Sequence, residues 1–418
     1  MQIELIATGD ELLNGTIADT NGAFLCERLA ALGLPARRGA TVRDRREDIV
    51  LALRTAAARA DVVVVSGGLG PTSDDVTLEC AAEAAGVELT TDEPTAAAIR
   101  ARLGRRGIAC TPNNLRQARV PAGAKVYPNR FGTAPLVELA LGSARLYFLP
   151  GVPREFRGLA EEIVLPALGR LAAGAPVRRV RLLRCYGAAE SHLDHALAGL
   201  EAAHPGIELG YRTTLPENHV RLVAVGAAGE PASAVEARLS AAVAEARRRI
   251  GVACFSDDGR GLPALLGELL VARGATVALA ESLTGGLACG LLTDPPGASR
   301  YARMSLVAYV DEVKRDVLGV PGELLARHGA VSEPVARAMA ERARAIARAD
   351  FGLSCTGLAG PEGDASGQPV GTVFTALATA SGSRAERHAF GGDRDRVRAF
   401  SAHATLDALR RDLLEAAG

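Results

Sequence analysis

The 418-residue sequence predicts an α/β protein in three consecutive domains. Two observations carry that prediction: apolar, β-branched runs of strand length recur with helix-length stretches between them, and a chain this long with 48% hydrophobic residues buries more than one core. In the first domain (residues 1–172), strand signals at Ile3–Thr8, in DVVVVSGG (Asp61–Gly68) and at Arg145–Leu149 are separated by an amphipathic stretch near Thr20–Leu32 and a helix from about Val76. This is the pattern of a parallel sheet with crossover helices. A helix then runs through about Leu171, and Ala-Gly-Ala-Pro at 173–176 reads as a linker. The second domain (177–256) changes to strand (Val180–Tyr186), helix (Glu190–Leu200), two strands around Gly210 and Val223, and an Ala/Arg-rich helix (Ser233–Ile250), a small α+β unit. The third (260–418) returns to α/β, an α/β/α layering with strands at Thr276–Ala280, Met304–Tyr309 and Phe351–Cys355, a helix from Thr284 to Leu292, two further strands and a last helix.

Composition excludes several function classes. Lys+Arg and Asp+Glu are both 48, so no basic footprint for nucleic acid or an anionic membrane is expected. No apolar run reaches spanning length and no leader-like start is present, so a cytoplasmic protein acting on small molecules is expected. The seven cysteines are odd in number and scattered singly, against disulfides and structural zinc. Lys125 and Lys314 are the only lysines among the 48 basic residues. A lysine retained in such a chain suggests a need for an amine that can lose its proton, which a guanidinium cannot do.

In the third domain four elements stand at predicted strand ends, where open α/β sheets bind ligands. AESLTGG (Ala280–Gly286) offers Ser282 with Thr284, Gly285 and Gly286 in a turn whose N–H groups suit an oxyanion or phosphate. AYVDEVK (Ala308–Lys314) brings Tyr309 and Lys314, CTGLAGPEG (Cys355–Gly363) brings Thr356 and Gly357, and GGDRDRVRAF (Gly391–Phe400) brings Arg394, Arg396 and Arg398. A hydroxyl beside a desolvated amine is a Ser-Lys arrangement suited to acyl transfer. These elements, with HGAVSEP (His328–Pro334) and PVGTV (Pro369–Val373), occur in the order seen in the nicotinamide-nucleotide amidase domain of the CinA family, which the stretch Leu262–Leu414 resembles. The resemblance implies hydrolysis of nicotinamide mononucleotide to nicotinic acid mononucleotide and ammonia without a cofactor. It implies Ser282 as nucleophile, Lys314 as base, Tyr309 and Thr356 as supports, and Thr284, Gly285, Gly286, Gly357 and Arg394 around substrate. The chain departs from the family pattern at Asp311, where many relatives carry asparagine, and at Asp364, where a glycine is common.

The first domain repeats the theme. TGDELLNGTIADTN (Thr8–Asn21) and SGGLGPTSDDVT (Ser66–Thr77) place carboxylates and glycines at strand ends, with Asp74 and Asp75 as candidates for Mg²⁺ and Asp10, Glu11, Asp19 and Asp44 as further acids. With NNLRQA, NRFGTAP and LPGVPREF, residues 1–170 resemble the molybdopterin-binding fold of the MoaB and MogA proteins in its CinA version. That resemblance implies a divalent-metal-dependent ADP-ribose pyrophosphatase with Gly67, Gly68, Gly70, Thr72, Asp10 and Arg116 around the phosphates, Arg116 standing where a lysine is usual. It also implies a homodimer with nucleotide substrates. The alternative from another class is a non-catalytic pterin- or nucleotide-binding adaptor associated with competence.

Overall fold

A computed structural model describes residues 1–171, 176–227, 229–363 and 367–415. Residues 173–175 of the expected linker and Asp364 lie outside the described residues. The chain divides into two compact units, Met1–Arg179 with Val225–Glu236, and Val180–Ala224 with Ala237–Gly418.

The first unit is built on strands β1 (Ile3–Thr8), β2 (Arg38–Val42), β3 (Val62–Ser66), β4 (Leu89–Thr91), β5 (Arg119–Pro121), β6 (Lys125–Tyr127), β7 (Leu136–Leu141) and β8 (Ala144–Leu149). Its main sheet has the order β2-β1-β3-β8-β7-β6. The expected parallel core is there in β2, β1, β3 and β8, but β7 and β6 continue it antiparallel. The run Val62–Val65 shows why β3 is central: Val63 and Val65 join one core with Ile49 and Leu53 of helix α2 (Arg46–Ala57). Val62 and Val64 point to the other, with Leu25 and Leu29 of α1 (Thr20–Ala31). A strand buried on both faces needs a continuous apolar run, because successive side chains alternate faces. Asp19 caps α1, accepting the Gly22 N–H at 2.8 Å.

The second unit contains two sheets. β9 (Arg178–Cys185), β10 (Ile207–Thr214), β11 (Glu217–Val225) and β12 (Cys254–Ser256) lie in the order β10-β11-β9-β12. β13 (Val277–Glu281), β14 (Ala302–Val307), β15 (Phe351–Gly357), β16 (Thr372–Thr379) and β17 (Gly382–Ala389) lie in the order β14-β13-β15-β16-β17. β13 is parallel to both neighbours, and β16 and β17 run antiparallel. Val277 and Leu279 face helices α4 (Leu262–Arg273), α5 (Leu287–Thr293) and α7 (Arg394–Glu415), whereas Ala278 and Ala280 face α6 (Glu333–Ala347). The small side chains let α6 come close: a Cβ on Gly352 would sit 2.1 Å from the Ala340 carbonyl oxygen. The helix expected from Thr284 starts three residues later, at Leu287. Thr284–Gly286 form a turn in which Gly285 and Gly286 have φ of +61° and +97°, backbone that a side chain resists. Among the described residues no helix is long and apolar enough to cross a membrane.

Candidate functional site

In the second unit, the strand register assembles the site. Glu281 pairs with Val307 on one side and Cys355 on the other, so Ser282 follows its strand between Ala308 and Thr356. The Ser282 N–H donates to the Cys355 carbonyl at 3.0 Å, and the Ala308 N–H to the Glu281 carbonyl at 2.8 Å. Ser282 is buried, 7% exposed. Beyond Ala308 the chain enters the short helix Asp311–Asp316, which sends Lys314 back toward the strand ends. The Lys314 side chain is 2% exposed, and its ammonium donates to the Tyr309 carbonyl at 3.2 Å and the Asp311 carboxylate at 3.3 Å. No hydrogen bond joins the Ser282 hydroxyl to the Lys314 ammonium among the described residues.

Arg394 joins two of the loops. Its guanidinium donates to the Tyr309 hydroxyl at 2.7 Å and the Gly360 carbonyl at 2.8 Å. Arg398, one turn on, donates to the Leu283 and Thr284 carbonyls at 3.2 and 3.0 Å. Both arginines project from the first turns of α7, so that helix ties the four elements to one end of the sheet.

Several of the expected site residues are already committed to partners within the protein. Thr284 is fully buried and donates its hydroxyl to Glu281 at 2.7 Å rather than facing a ligand. The Gly286 N–H is taken by Glu281 and the Gly285 N–H by the Ser282 carbonyl, so neither is free for a nucleotide. The Leu283 and Thr284 N–H groups carry no hydrogen bond among the described residues. The Thr356 hydroxyl donates to the Ala330 carbonyl at 2.8 Å, fastening HGAVSEP to β15. Gly357 is a strand residue whose Cβ would lie 2.7 Å from the Thr372 carbonyl oxygen, a packing requirement.

The organising residue is Glu281, to which sequence reasoning gave no role. Its carboxylate, fully buried, accepts from the Thr284 and Ser305 hydroxyls and from the N–H groups of Gly286, Ala288 and Cys289, all at 2.7–3.1 Å. It thereby satisfies the donors at the start of α5 and suits the positive end of that helix. An ionisable residue ending the apolar run VALA, just before a turn, was the available signal. Cys355, beside it, does not compete with Ser282: burial, then the Glu281 charge, push its thiol up to about 11, leaving it protonated and unreactive at neutral pH.

In the first unit, a cavity of about 780 Å³ opens at the ends of β1 and β3, lined by Gly67, Gly68, Gly70, Asp44, Asp74 and Asp75 among others. A Cβ on Gly67 would meet the Thr8 carbonyl oxygen at 2.5 Å, and one on Gly68 the Thr77 hydroxyl at 2.0 Å. The turn is therefore glycine because β1 and α3 (Thr77–Ala85) crowd it. Asp75 accepts from the Thr72 N–H and hydroxyl, an internal turn. Arg116 donates to the Thr72 carbonyl and to Glu79, bracing the turn from outside. The Asp10 N–H donates to Asp44 at 3.1 Å, while Asp10 Oδ1 is buried with no hydrogen-bond partner among the described residues. Burial, and then the charges of Glu11, Asp10 and Asp74, raise the Asp44 carboxyl above its ordinary value despite the Asp10 N–H. Asn21, missed in sequence, donates to the Ser66 hydroxyl and Gly151 carbonyl and so joins the loops after β3 and β8. The motif NRFGTAP is locked to PREF by Asn129, which donates to Glu155 and accepts the Phe131 and Gly132 N–H groups. Among the described residues no three His, Cys, Asp or Glu side chains are grouped to hold a metal; of the expected pair Asp74 and Asp75, the second accepts both Thr72 hydrogen bonds.

A family model described as the CinA C-terminal domain matches residues 260–413, and one described as a probable molybdopterin binding domain matches residues 4–170. A CinA-like protein of Myxococcus xanthus is 47% identical over 420 residues, spanning 100% of this chain and 99% of that protein. The chain belongs to the CinA family. A CinA-like protein of Geobacter sulfurreducens is 41% identical over 416 residues, with 100% of both chains covered. The crystal structure of a CinA protein from Thermoplasma acidophilum is similar over 39% of this chain and 95% of its own, at 38% identity and a TM-score of 0.37. In this CinA chain Glu281, Ser282, Tyr309, Lys314, Arg394 and Arg398 make up the second unit's candidate site.

Proposed function

We propose that the C-terminal site hydrolyses the carboxamide of nicotinamide mononucleotide, giving nicotinic acid mononucleotide and ammonia. The supporting observation is the buried Lys314 amine, held at the Tyr309 carbonyl just past the end of β14, which pairs with the strand that Ser282 follows. Such an amine, once neutral, takes the serine proton as Ser282 attacks the carboxamide carbon. The Leu283 and Thr284 N–H groups, next in sequence to Ser282 and unbonded among the described residues, are the donors offered to the oxyanion, and a single donor of this kind is worth about 3 kcal/mol in the transition state. Lys314 then returns the proton to departing ammonia, and water releases the acyl group. The test is ammonia release from nicotinamide mononucleotide by the purified protein. Ser282→Ala and Lys314→Arg abolish it on this reading; undiminished turnover in both variants removes the dyad.

For the N-terminal cavity we propose pyrophosphate hydrolysis of ADP-ribose. Mg²⁺ is commonly held by one or two carboxylates plus substrate phosphates. Asp44 and Asp74, near enough for the charge of Asp74 to raise the Asp44 carboxyl, are the two carboxylates that would share such an ion with substrate. The acidic cluster is what supports a cation here, since like charges crowded in a cavity are relieved by one. Formation of AMP from ADP-ribose, dependent on added Mg²⁺ and lost in Asp44→Asn, is the expected result. A pterin bound without any turnover would favour the adaptor reading.

A further inference from the structure

Cys185 ends β9 and Cys254 begins β12, and the two are register partners in that antiparallel pair. The Tyr186 N–H donates to the Ala253 carbonyl at 2.9 Å, so the ladder bond lies just outside the cysteines. They therefore oppose each other at a non-hydrogen-bonded position, where paired Cα atoms approach to about 4.5 Å. A disulfide spans Cα separations from about 4.4 Å upward. Both thiols are free and buried, and Cys254 donates its S–H to the Ser256 carbonyl at 3.6 Å.

We propose that Cys185 and Cys254 are a thiol–disulfide pair, oxidised reversibly by a low-molecular-weight disulfide such as glutathione disulfide. The influence of Cys185, outweighing burial and aided by Arg247, holds the Cys254 thiol below its ordinary value, while the influence of Cys254 and burial raise Cys185. Cys254 is thus the attacking sulfur. It lies on a three-residue strand at the sheet edge, the element with the fewest ladder bonds to release. The Cys254 thiolate attacks one sulfur of glutathione disulfide and expels one glutathione thiolate. The Cys185 sulfur, giving up its proton, then displaces the second glutathione from the mixed disulfide. Two protein thiols are oxidised, one glutathione disulfide is reduced to two glutathione thiols, and the protons end on those thiols.

The position gives the bond a consequence. Tyr186, next to Cys185, donates its hydroxyl to the Phe400 carbonyl at 3.0 Å and packs its ring 5.6 Å from His403. Phe400 and His403 belong to α7, the helix whose first turns carry Arg394 and Arg398. The disulfide forms whether or not the amidase reading holds, because its chemistry uses none of that site's groups.

The test treats the full chain with excess glutathione disulfide in mildly alkaline buffer, alkylates remaining thiols in denaturant and maps the peptides by mass. The expected result is a Cys185–Cys254 cross-linked peptide in most chains, lost on adding dithiothreitol. The exposed Cys26 carries glutathione and shows that oxidant reached the protein. In Cys185→Ser, Cys254 ends as a single mixed disulfide; in Cys254→Ser, Cys185 stays free. Recovery of both cysteines as free thiols or as separate mixed disulfides while Cys26 is modified overturns the proposal. A cross-link that forms only in the urea-unfolded chain overturns it equally.

Discussion

The Lys314 ammonium lies 3.3 Å from the carboxylate of Asp311, three residues earlier on the same short helix. A neutral amide at this position would carry no such charge. The contact bears directly on the proposed chemistry, because a general base has to shed its proton and an adjacent negative charge opposes that.

Asp311→Asn is therefore expected to raise the amidase rate. Asp311 is 59% exposed, and a pair with one solvated partner is worth roughly up to 1 kcal/mol. The gain at neutral pH is then about two- to fivefold, read as initial ammonia release under saturating substrate. A rate that falls in Asp311→Asn would mean that the carboxylate positions the amine rather than restraining it.

Glu281 is the second site of prediction. Replacing it with glutamine turns one acceptor oxygen into an NH₂ group facing donors in a fully buried place. Hydrogen bonds to a buried charge contribute about 1.5–3 kcal/mol each, and unsatisfied donors add to the loss. A destabilisation of about 3 kcal/mol is expected from the urea midpoint, together with loss of amide hydrolysis in whatever fraction remains folded. Full activity at unchanged stability would show that the Ser282 turn holds itself in place without this anchor.

What the sequence made legible was the alternation that sets both α/β sheets, because apolar period and length are local signals. Val62–Val65 declared a doubly buried strand, and Val277–Ala280 did the same. Short strands such as Lys125–Tyr127 and Arg119–Pro121 carry no such run, and the edge strand β6 went unseen for that reason. Around the candidate site, the placement of Ser282, Tyr309 and Arg394 at strand-to-helix junctions was readable from motifs. Which donors were already spent was not, since that depends on Glu281 and Arg398 meeting the turn across the fold. The same holds for Cys185 and Cys254, remote in sequence and opposed only by strand register.

Acid stability offers an independent prediction. Glu217 is buried and accepts both guanidinium arms of Arg184 at 2.7 and 2.9 Å and the imidazoles of His219 and His403 at 3.0 Å. Burial alone would raise its carboxyl; the hydrogen bonds from His403 and Arg184 outweigh that and bring it down to about 2 from an ordinary 4.5. A carboxyl depressed on folding stabilises the native state above its unfolded value, and that contribution disappears as pH falls through the folded one. Stability should thus drop between about pH 4.5 and pH 2, on the order of 3 kcal/mol from this group. Glu217→Gln should be less stable at pH 6 and show a flatter urea midpoint across that window. An unaltered slope would place the acid sensitivity elsewhere.

Arg394 supplies the last prediction. Because its guanidinium bridges the Tyr309 hydroxyl and the Gly360 carbonyl, it holds two loops from different strands at a fixed separation. Arginine's planar fork makes both bonds at once, which a lysine ammonium on a flexible stem does not reproduce. Arg394→Lys keeps the charge and loses the bridge; Arg394→Gln loses both. If Arg394 acts mainly through charge toward the nucleotide phosphate, Arg394→Lys retains most activity and Arg394→Gln raises KM. If it acts by spacing the loops, as its two hydrogen bonds indicate, both variants lower kcat about tenfold or more, the cost of roughly 1.4 kcal/mol in transition-state stabilisation, with KM changed less. Steady-state kinetics of the two variants, side by side, separate these outcomes, and the geometry favours the second: in the structure the guanidinium is already committed to Tyr309 and Gly360.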